Sequence, residues 1–539
     1  MQRRNNGVAA GGRRQEAPPP RRLNDRDAKV KKDPTMKLFK IRGGVHPHDH
    51  KHLAAEQAIE DLPMPALLHI PLQQHIGAPA APAVRRGQQV AKGDLLAHSQ
   101  GAISAPVHAP TSGRVMGVGS YPAHHASGLS VRTVTLKPDG EDRWSDAIEG
   151  VADPFVLTPE EIAARVAAAG IVGMGGATFP SAVKLNLRNR YRLHTLVING
   201  AECEPYLTCD DRLMREEADA VVDGIRILAR GLGVERIIIA IENNKSEAQA
   251  AMAIAAAVDP RIRIARLPTR YPMGSERHLV QALTGQETPA RGLTADIGVV
   301  VHNGATAFAV HEALRHGRPL VSRVVTVSGG AVARPRNLRV PLGARVQDLL
   351  DYCGGFTEEP AQLISGGPMM GQPLPETRVP MVKGSNGVLA LTAREVARRE
   401  SMPCIRCASC VQACPCGLVP LEMAAHTRAG DLEGAVGLGL MDCIGCGSCA
   451  YVCPAHIPLV QFFKYAKGEM AARGRSKQKL LETKRLAEQR TARIEAIQRA
   501  KREAMAKRKR EQAATQAAAK AAAPIAPADV PAAALAGED

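Results

Sequence analysis

From residue 158 the apolar positions switch repeatedly between the period of a helix and the unbroken run of a buried strand. PEEIAARVAAAG (159–170), RLMREEADAVVDGIRILARGL (212–232) and RHLVQALTG (277–285) space their apolar residues three and four apart and predict helices, with another expected around Ala309–His316. LHTLVING (193–200), VERIIIAIENN (234–244), IRIARLP (262–268) and GVVVHNG (298–304) are short apolar runs that predict strands covered on both faces. Strands alternating with helices at these spacings imply a parallel sheet and an α/β domain over 141–317.

The flanks have different rhythms. Residues 62–138 are rich in Pro, Gly and Val, with short strands such as VMGVG and VRTVTL. There QQVAKGDLLA followed by ISAPVHAPTSGRV resembles half of a biotinyl/lipoyl-type barrel-sandwich, giving a barrel-sandwich-like domain within 36–140. Its strands meet at Ser104-Ala105-Pro106 with no Lys to carry a swinging cofactor, so the domain reads as a scaffold. Short strands return in LVSRVVTVSGGAV, LRVPLG and LISGGPMMG, which predict a small β-grasp-like module over 318–375. Residues 466–539 predict a basic helical arm followed by an Ala/Pro tail.

Charge follows the same division. The formal net charge is +17, but residues 1–35 carry ten Lys/Arg against four Asp/Glu, and residues 473–511 carry fifteen against five. The body between the tails is close to neutral. Residues 1–35 have little to bury and are expected to be a disordered basic tail, with order beginning near Met36. The basic C-terminal segment is read as a solvated arm suited to an anionic membrane surface or an acidic partner. Neither tail interleaves aromatics among its cations for base stacking, which argues against nucleic acid. No apolar run is long enough to span a membrane and no leader core precedes the first domain, so a soluble cytoplasmic protein is expected.

Nine of the twelve cysteines fall between 404 and 453. CIRCASCVQACP and CIGCGSCAYVCP are two copies of C-x2-C-x2-C-x3-C-P, a spacing that suits iron–sulfur cubanes rather than structural zinc. Three cysteines two residues apart wrap one cluster, while the fourth, followed by Pro, turns toward the other. Cys404, Cys407, Cys410 and Cys453 are therefore expected to hold one [4Fe-4S] cluster, and Cys443, Cys446, Cys449 and Cys414 the other. The 28 residues between Cys414 and Cys443 look helical, which predicts a helical two-cluster ferredoxin-like domain over 395–465. Cys416 reads as a bystander thiol. The His46, His48, His50 and His52 tract alternates across a strand or loop and is not expected to bind metal.

GIVGMGGATFPSAVKL (170–185) is a Gly-rich turn leading into a helix with Lys184, a setting in which backbone N–H groups approach a phosphate. A helix precedes it rather than a strand, and Thr178 stands where the dinucleotide fingerprint has its last Gly. VINGAECEPYLTCDDRLM (197–214), YPMGSERHLV (271–280) and VHNGATA (301–307) each set polar or Gly residues beside a strand end, where α/β sheets bind ligands.

These segments together resemble the NADH-binding flavoprotein subunit of respiratory complex I. More closely, from the GGVHPHDHK start through VKGSNGVL (382–389) to both cysteine runs, they resemble the C subunits of Rnf/Rsx ion-translocating electron-transport complexes. The resemblance implies a multidomain chain whose α/β part is a Rossmann-like domain binding FMN and NAD(H). It implies that Gly173, Gly175, Gly176 and Lys184 hold the flavin phosphate. Asn199, Glu202 and Glu204 would line the flavin and nicotinamide side, with Phe179 near the dinucleotide. Tyr271, Gly274 and Glu276 would form a second flavin-contacting segment, and Asn303 and Thr306 a third. Asn303-Gly304-Ala305-Thr306 departs there from the family's usual N-V-G-T. The resemblance further implies a component of an NADH/ferredoxin-type oxidoreductase, attached peripherally to membrane-embedded and iron–sulfur subunits at the cytoplasmic face of the bacterial inner membrane. A corrinoid-reducing relative shares the flavin and cluster parts; the basic C-terminal extension favours the membrane complex. A redox-sensing scaffold with a degenerate flavin site is the reading from another class.

A chain beginning at Met36 is expected to keep its iron, sulfide and flavin content per mole unchanged on anaerobic purification. Loss of cluster content or of solubility would show that the first 35 residues support the fold.

Overall fold

The computed structural model describes residues 37–396 and 399–522. The disorder expected for residues 1–35, the onset of order at Met36 and the Ala/Pro tail lie outside the described residues. The chain divides into two compact units: the residues up to Leu421 together with Asp442–Ile457, and Glu422–Met441 together with the residues from Pro458 onward.

In the first unit, strands Thr195–Gly200, Arg236–Glu242, Ile262–Leu267 and Val299–Asn303 form a four-stranded parallel sheet. Ile262–Leu267 lies at one edge, followed by Arg236–Glu242, Thr195–Gly200 and Val299–Asn303. The order therefore reverses between Thr195–Gly200 and Val299–Asn303, which pair in register with Asn199 opposite Asn303 at their carboxyl ends. A crevice opens at such a reversal because the connections on its two sides run over opposite faces. Helices cover both faces, which is why Ile237 through Glu242 are all buried and the strand reads as an unbroken apolar run.

The single helix expected over 212–232 is two, Cys209–Glu216 and Ala218–Leu232, broken at Glu217. Glu217 leaves helical geometry and pairs with Arg339 at 3.1 Å. The second of these helices packs tightly on helix Gly304–Arg315. A Cβ on Gly224 would lie 1.8 Å from the Ala307 carbonyl oxygen, so only glycine permits this approach.

The N-terminal domain is a four-stranded antiparallel sheet (Leu68–Pro71, Ser130–Pro138, Gly113–Pro122, Gln89–Val90) with a three-stranded one (Ala81–Pro82, Leu95–His98, Val107–His108). It shares one apolar core with the third domain, where Ile70 and Leu136 cluster with Val325, Leu338 and Val388. That third domain is a six-stranded mixed sheet in the order Glu60–Asp61, Arg336–Pro341, Ser322–Ser328, Gly387–Leu391, Gln362–Ser365, Gln372–Pro373, with helix Val346–Tyr352. Two of its strands come from outside 318–375. Gly387–Leu391, fully buried, sits centrally and runs parallel to Ser322–Ser328, and Glu60–Asp61 adds an edge.

The second unit contains helix Leu432–Gly437, within the stretch expected to be helical, and helix Leu459–Ala521 of 63 residues. At 1.5 Å per residue the latter is roughly 95 Å long. The basic segment expected as a helical arm lies in this helix, which runs as far as Ala521. From Ala471 onward its described residues are exposed all round, apart from one partly covered position near the start. Among the described residues no helix is long and apolar enough to cross a membrane.

Gly224→Ala should lower the unfolding free energy by about 1–3 kcal/mol, the usual cost of overpacking. Gly474→Ala, where an added Cβ meets nothing within 4 Å, should be neutral or stabilising. Comparing the two melting transitions separates the close helix contact from glycine's general effect on helices.

Candidate functional site

The crevice at the strand-order reversal is a cleft of about 320 Å³, within the usual range for small-molecule sites. Eleven of the thirteen cofactor residues singled out from the sequence line it: Gly173, Gly175, Phe179, Lys184, Asn199, Glu202, Glu204, Tyr271, Gly274, Glu276 and Asn303. Gly176 and Thr306 do not. Thr306 is buried beneath the Gly-rich loop, where its hydroxyl accepts the Met174 N–H at 3.0 Å.

The Gly-rich loop is closed at its base. The Gly173 N–H donates to the Phe179 carbonyl (2.8 Å) and the Thr178 N–H to the Gly173 carbonyl (3.1 Å). Between these bonds the N–H groups of Gly175, Gly176 and Ala177 have no protein acceptor among the described residues, and Gly176 is left-handed at φ 102°. Consecutive free amides on a curled backbone make an anion cradle. The helix that follows, Ser181–Leu185, is only five residues, too short for the dipole expected of it, so positive charge here comes from Lys184. Its ammonium donates to the Val301 carbonyl (2.9 Å) and to Glu276 (3.1 Å).

On the opposite wall, Glu202 is left-handed (φ 47°) and turns its carboxylate onto the start of helix Cys209–Glu216, accepting the N–H groups of Asp210 (2.7 Å) and Asp211 (3.3 Å). Asn303 caps helix Gly304–Arg315 by accepting the Ala305 N–H, and its amide donates to Asp210. The Gly304-Ala305 departure is thus absorbed in a helix's first turn. Asn199 donates to the Gly274 carbonyl at 2.8 Å. Burial and the neighbouring Glu202 charge push Asp210 up to about 6. Glu204 accepts the N–H groups of Met369 (3.0 Å) and Met370 (2.9 Å), yet burial still lifts its carboxyl to about 7. His302 is buried, held neutral by burial and by Lys184 with a pKa of about 3, and its Nε2 has no protein partner.

The two cysteine runs fold alike. Arg406 and Ala408 in the first, and Gly445 and Gly447 in the second, occupy the same left-handed positions. In each, the third residue's N–H lies 3.4 Å from the first cysteine's sulfur. A serine hydroxyl also sits beside each second cysteine, Ser409 by Cys407 (3.4 Å) and Ser448 by Cys446 (3.5 Å). Burial lifts the Cys449 thiol to about 12, reinforced by Cys446, Cys443 and Cys414; burial likewise raises Cys410, whose charged neighbour is Cys453. Among the described residues no three cysteine thiols converge within 4.8 Å. Cys416, also raised to about 12 by burial, lies beside Cys414, Cys446 and Cys443 rather than apart from them. In the histidine tract, His46 bonds the Thr269 carbonyl and His50 stacks on Tyr206, with the His48 and His52 rings 6.2 and 6.4 Å from that of His50.

Cleft and second run meet directly. Ile444 lines the cleft, and the Tyr271 hydroxyl donates to the Cys446 carbonyl at 2.6 Å. Val45, Tyr271, Ala413 and Cys446 form one small apolar cluster with Cys203 and Met369 at its margin. The glycines of the GGVHPHDHK start lie here too: a Cβ on Gly43 would meet the Cys414 backbone at 2.5 Å. Ile444, Met370 and Asn386 were not singled out as cleft residues from the sequence. Asn386 falls in VKGSNGVL, whose motif was the available signal; nothing local marks the other two.

Four family models match along the chain: the RnfC barrel sandwich hybrid domain over residues 39–141, the Nuo51 FMN-binding domain over 166–312, the SLBB domain over 324–373, and a 4Fe-4S dicluster domain over 403–457. The C subunit of the ion-translocating oxidoreductase complex of Rhodobacter capsulatus is 61% identical over 439 residues, covering 81% of this chain and 84% of that protein. The C subunit of the proton-translocating ferredoxin:NAD(+) oxidoreductase complex of Clostridium ljungdahlii is 44% identical, covering 81% and 95%. The C subunit of the ion-translocating oxidoreductase complex of Pseudomonas aeruginosa is 44% identical over 458 residues, covering 85% of this chain and 59% of that longer protein. With an FMN-binding domain and a 4Fe-4S dicluster domain in one polypeptide, the chain belongs to the family of ion-translocating oxidoreductase complex C subunits.

Proposed function

We propose that this chain exchanges electrons with NAD(H) at an FMN in the cleft and relays them through two [4Fe-4S] clusters. In this reading it is a peripheral subunit of a membrane-bound ion-translocating complex at the cytoplasmic face of the inner membrane. The observation that carries the proposal is the contact of the second cysteine run with the cleft, through Ile444 and the Tyr271–Cys446 hydrogen bond. A nicotinamide moves two electrons together and a cluster one, and a flavin accepts either kind of transfer.

The chain's own groups then have defined tasks. The free amides of Gly175 and Gly176, together with Gly173 and Lys184, suit the phosphate. Glu276 holds Lys184 in place. Asn199, Glu202 and Asn303 fix the strand ends and helix starts that frame the ring site. Phe179, Gly274 and Tyr271 supply apolar walls, and Glu204 is the ionisable group positioned to hold a proton near neutrality. No general base is needed for hydride exchange; geometry and local charge decide the rate. Cys404, Cys407, Cys410 and Cys453 would ligate one cluster, and Cys443, Cys446, Cys449 and Cys414 the one beside the cleft. The charge neighbourhoods of Cys449 and Cys410 support this crossed set. The name of the Clostridium relative supports nicotinamide as one redox partner, and the basic helix suits an anionic membrane surface.

Crossed ligation has a spectroscopic consequence. Cys453→Ala should perturb the same EPR signal as Cys407→Ala, and Cys414→Ala the same signal as Cys446→Ala, because each fourth cysteine serves the distant cluster. If Cys453→Ala instead matches Cys446→Ala, ligation is local.

Glu204 should also be visible in stability. Its carboxyl is raised from 4.5 to about 7 by burial. Between those values the folded chain therefore keeps a proton that the unfolded chain has released, and stability falls as pH rises through the window. Anaerobic urea unfolding from pH 4.5 to 8 should show a shallower slope for Glu204→Gln, leaving the contribution of Asp210. An unchanged slope would mean that Glu204 ionises normally.

A further inference from the structure

Lys51 lies outside the α/β domain, in the segment that follows the GGVHPHDHK glycines, yet its side chain ends under the cleft's acidic wall. Its ammonium donates to the carbonyls of Glu202 (2.9 Å), Glu204 (3.1 Å) and Leu207. Three donors meet three acceptors, which satisfies the protonated amine fully. No carboxylate bonds it directly, while the charges of Glu202 and Glu242 nearby favour its protonated form against burial. A second buried lysine, Lys245, holds the Ala201 carbonyl at 2.7 Å, but it is paired with Glu242 at 3.0 Å. The loop between Ala201 and Leu207 is thus gripped at four carbonyls from behind, while Glu202, Cys203 and Glu204 face the cleft.

The grip has a conformational reason. Glu202 and Tyr206 are both left-handed (φ 47° and 66°), a backbone that L-residues adopt at some cost. A loop carrying two such residues keeps its shape only when surrounding bonds over-determine it. Lys51 supplies three of those bonds from a part of the chain roughly 150 residues upstream, as the separations of 151, 153 and 156 positions record.

We propose that Lys51 is a positioning residue for the flavin cleft, acting in two ways. It fixes the strained Glu202–Leu207 loop that forms one wall, and its positive charge behind that wall favours electron-rich, reduced flavin. This rests on the reading of the cleft as the FMN site. The charge effect follows from ordinary electrostatics: a buried cation acts over several ångströms at low dielectric, and charge near a flavin tunes its electronics. Burial first, and then the neighbouring Lys245, lower the Lys51 pKa, with Glu202 and Glu242 opposing the shift.

Two variants separate the effects. Lys51→Met removes both bonds and charge, whereas Lys51→Gln keeps a donor and removes the charge. In flavin-free protein, amide hydrogen exchange at residues 202–208 should quicken by at least about tenfold in Lys51→Met, which loses all three bonds, and less in Lys51→Gln. The strand 236–242 should be unchanged in both. In FMN-loaded protein the flavin midpoint potential should move negative in both variants by a similar amount, with cluster iron and sulfide retained. Unchanged loop exchange in Lys51→Met overturns the clamp. An unchanged potential, or one that shifts only in Lys51→Met, overturns the charge effect. If the parent protein binds no FMN, the reading of the cleft fails instead, and the exchange measurement still judges the clamp.

Discussion

The constraint on which the rest of the structure depends is the seating of the second cysteine run against the cleft. Tyr271 is the pivot: its ring is buried in the apolar cluster with Val45, Ala413 and Cys446, and its hydroxyl is spent on the Cys446 carbonyl. Electron transfer falls off steeply with distance, so a two-electron site and a one-electron relay work together only if they nearly touch. Here that proximity comes from packing across segments drawn from both ends of the described chain.

The same requirement explains why so much of the N-terminal segment is spent on close backbone contacts. Gly43 passes against Cys414 where no side chain would fit, and the Gly44 N–H donates to the Ala413 carbonyl at 2.9 Å. A few residues later, Lys51 reaches the acidic loop. One short stretch therefore touches both the cluster run and the cleft wall, tying the two together.

The cleft's electrostatics are divided by burial. The Glu202 carboxylate accepts the first amides of a helix, while Glu204 accepts two amides and still rises to about 7 because desolvation outweighs them. Lys184 and the free amides of the Gly-rich loop stand on the opposite wall. The cleft thus combines positive character at the loop with proton-holding capacity at Glu204 and Asp210. A flavin with an anionic tail and a ring that gains negative charge suits that polarity.

Much was legible in the chain itself. The periods of 159–170 and 298–304 mark helix and buried strand because a covered strand must be apolar at every position. The cysteine spacing marks cubanes because three thiolates two residues apart can wrap one corner after another. The resemblance of the Gly-rich and acidic segments led to eleven cleft residues. What local pattern did not reveal was contact between distant parts. Nothing around Glu217 announces a helix break, because the ion pair with Arg339 lies over a hundred residues away. Thr306 looked like a ligand contact and is a support under the loop; Gly387–Leu391, outside the expected module, is the central strand that completes its sheet. Ile444 looks like a spacer between cysteines until the fold sets it in the cleft wall. Sequence by itself determined the kinds of chemistry, since thiolate spacing and apolar period are local properties. Tertiary structure alone decided which wall each group faces and how near cluster and cleft lie, because those depend on packing between residues hundreds of positions apart.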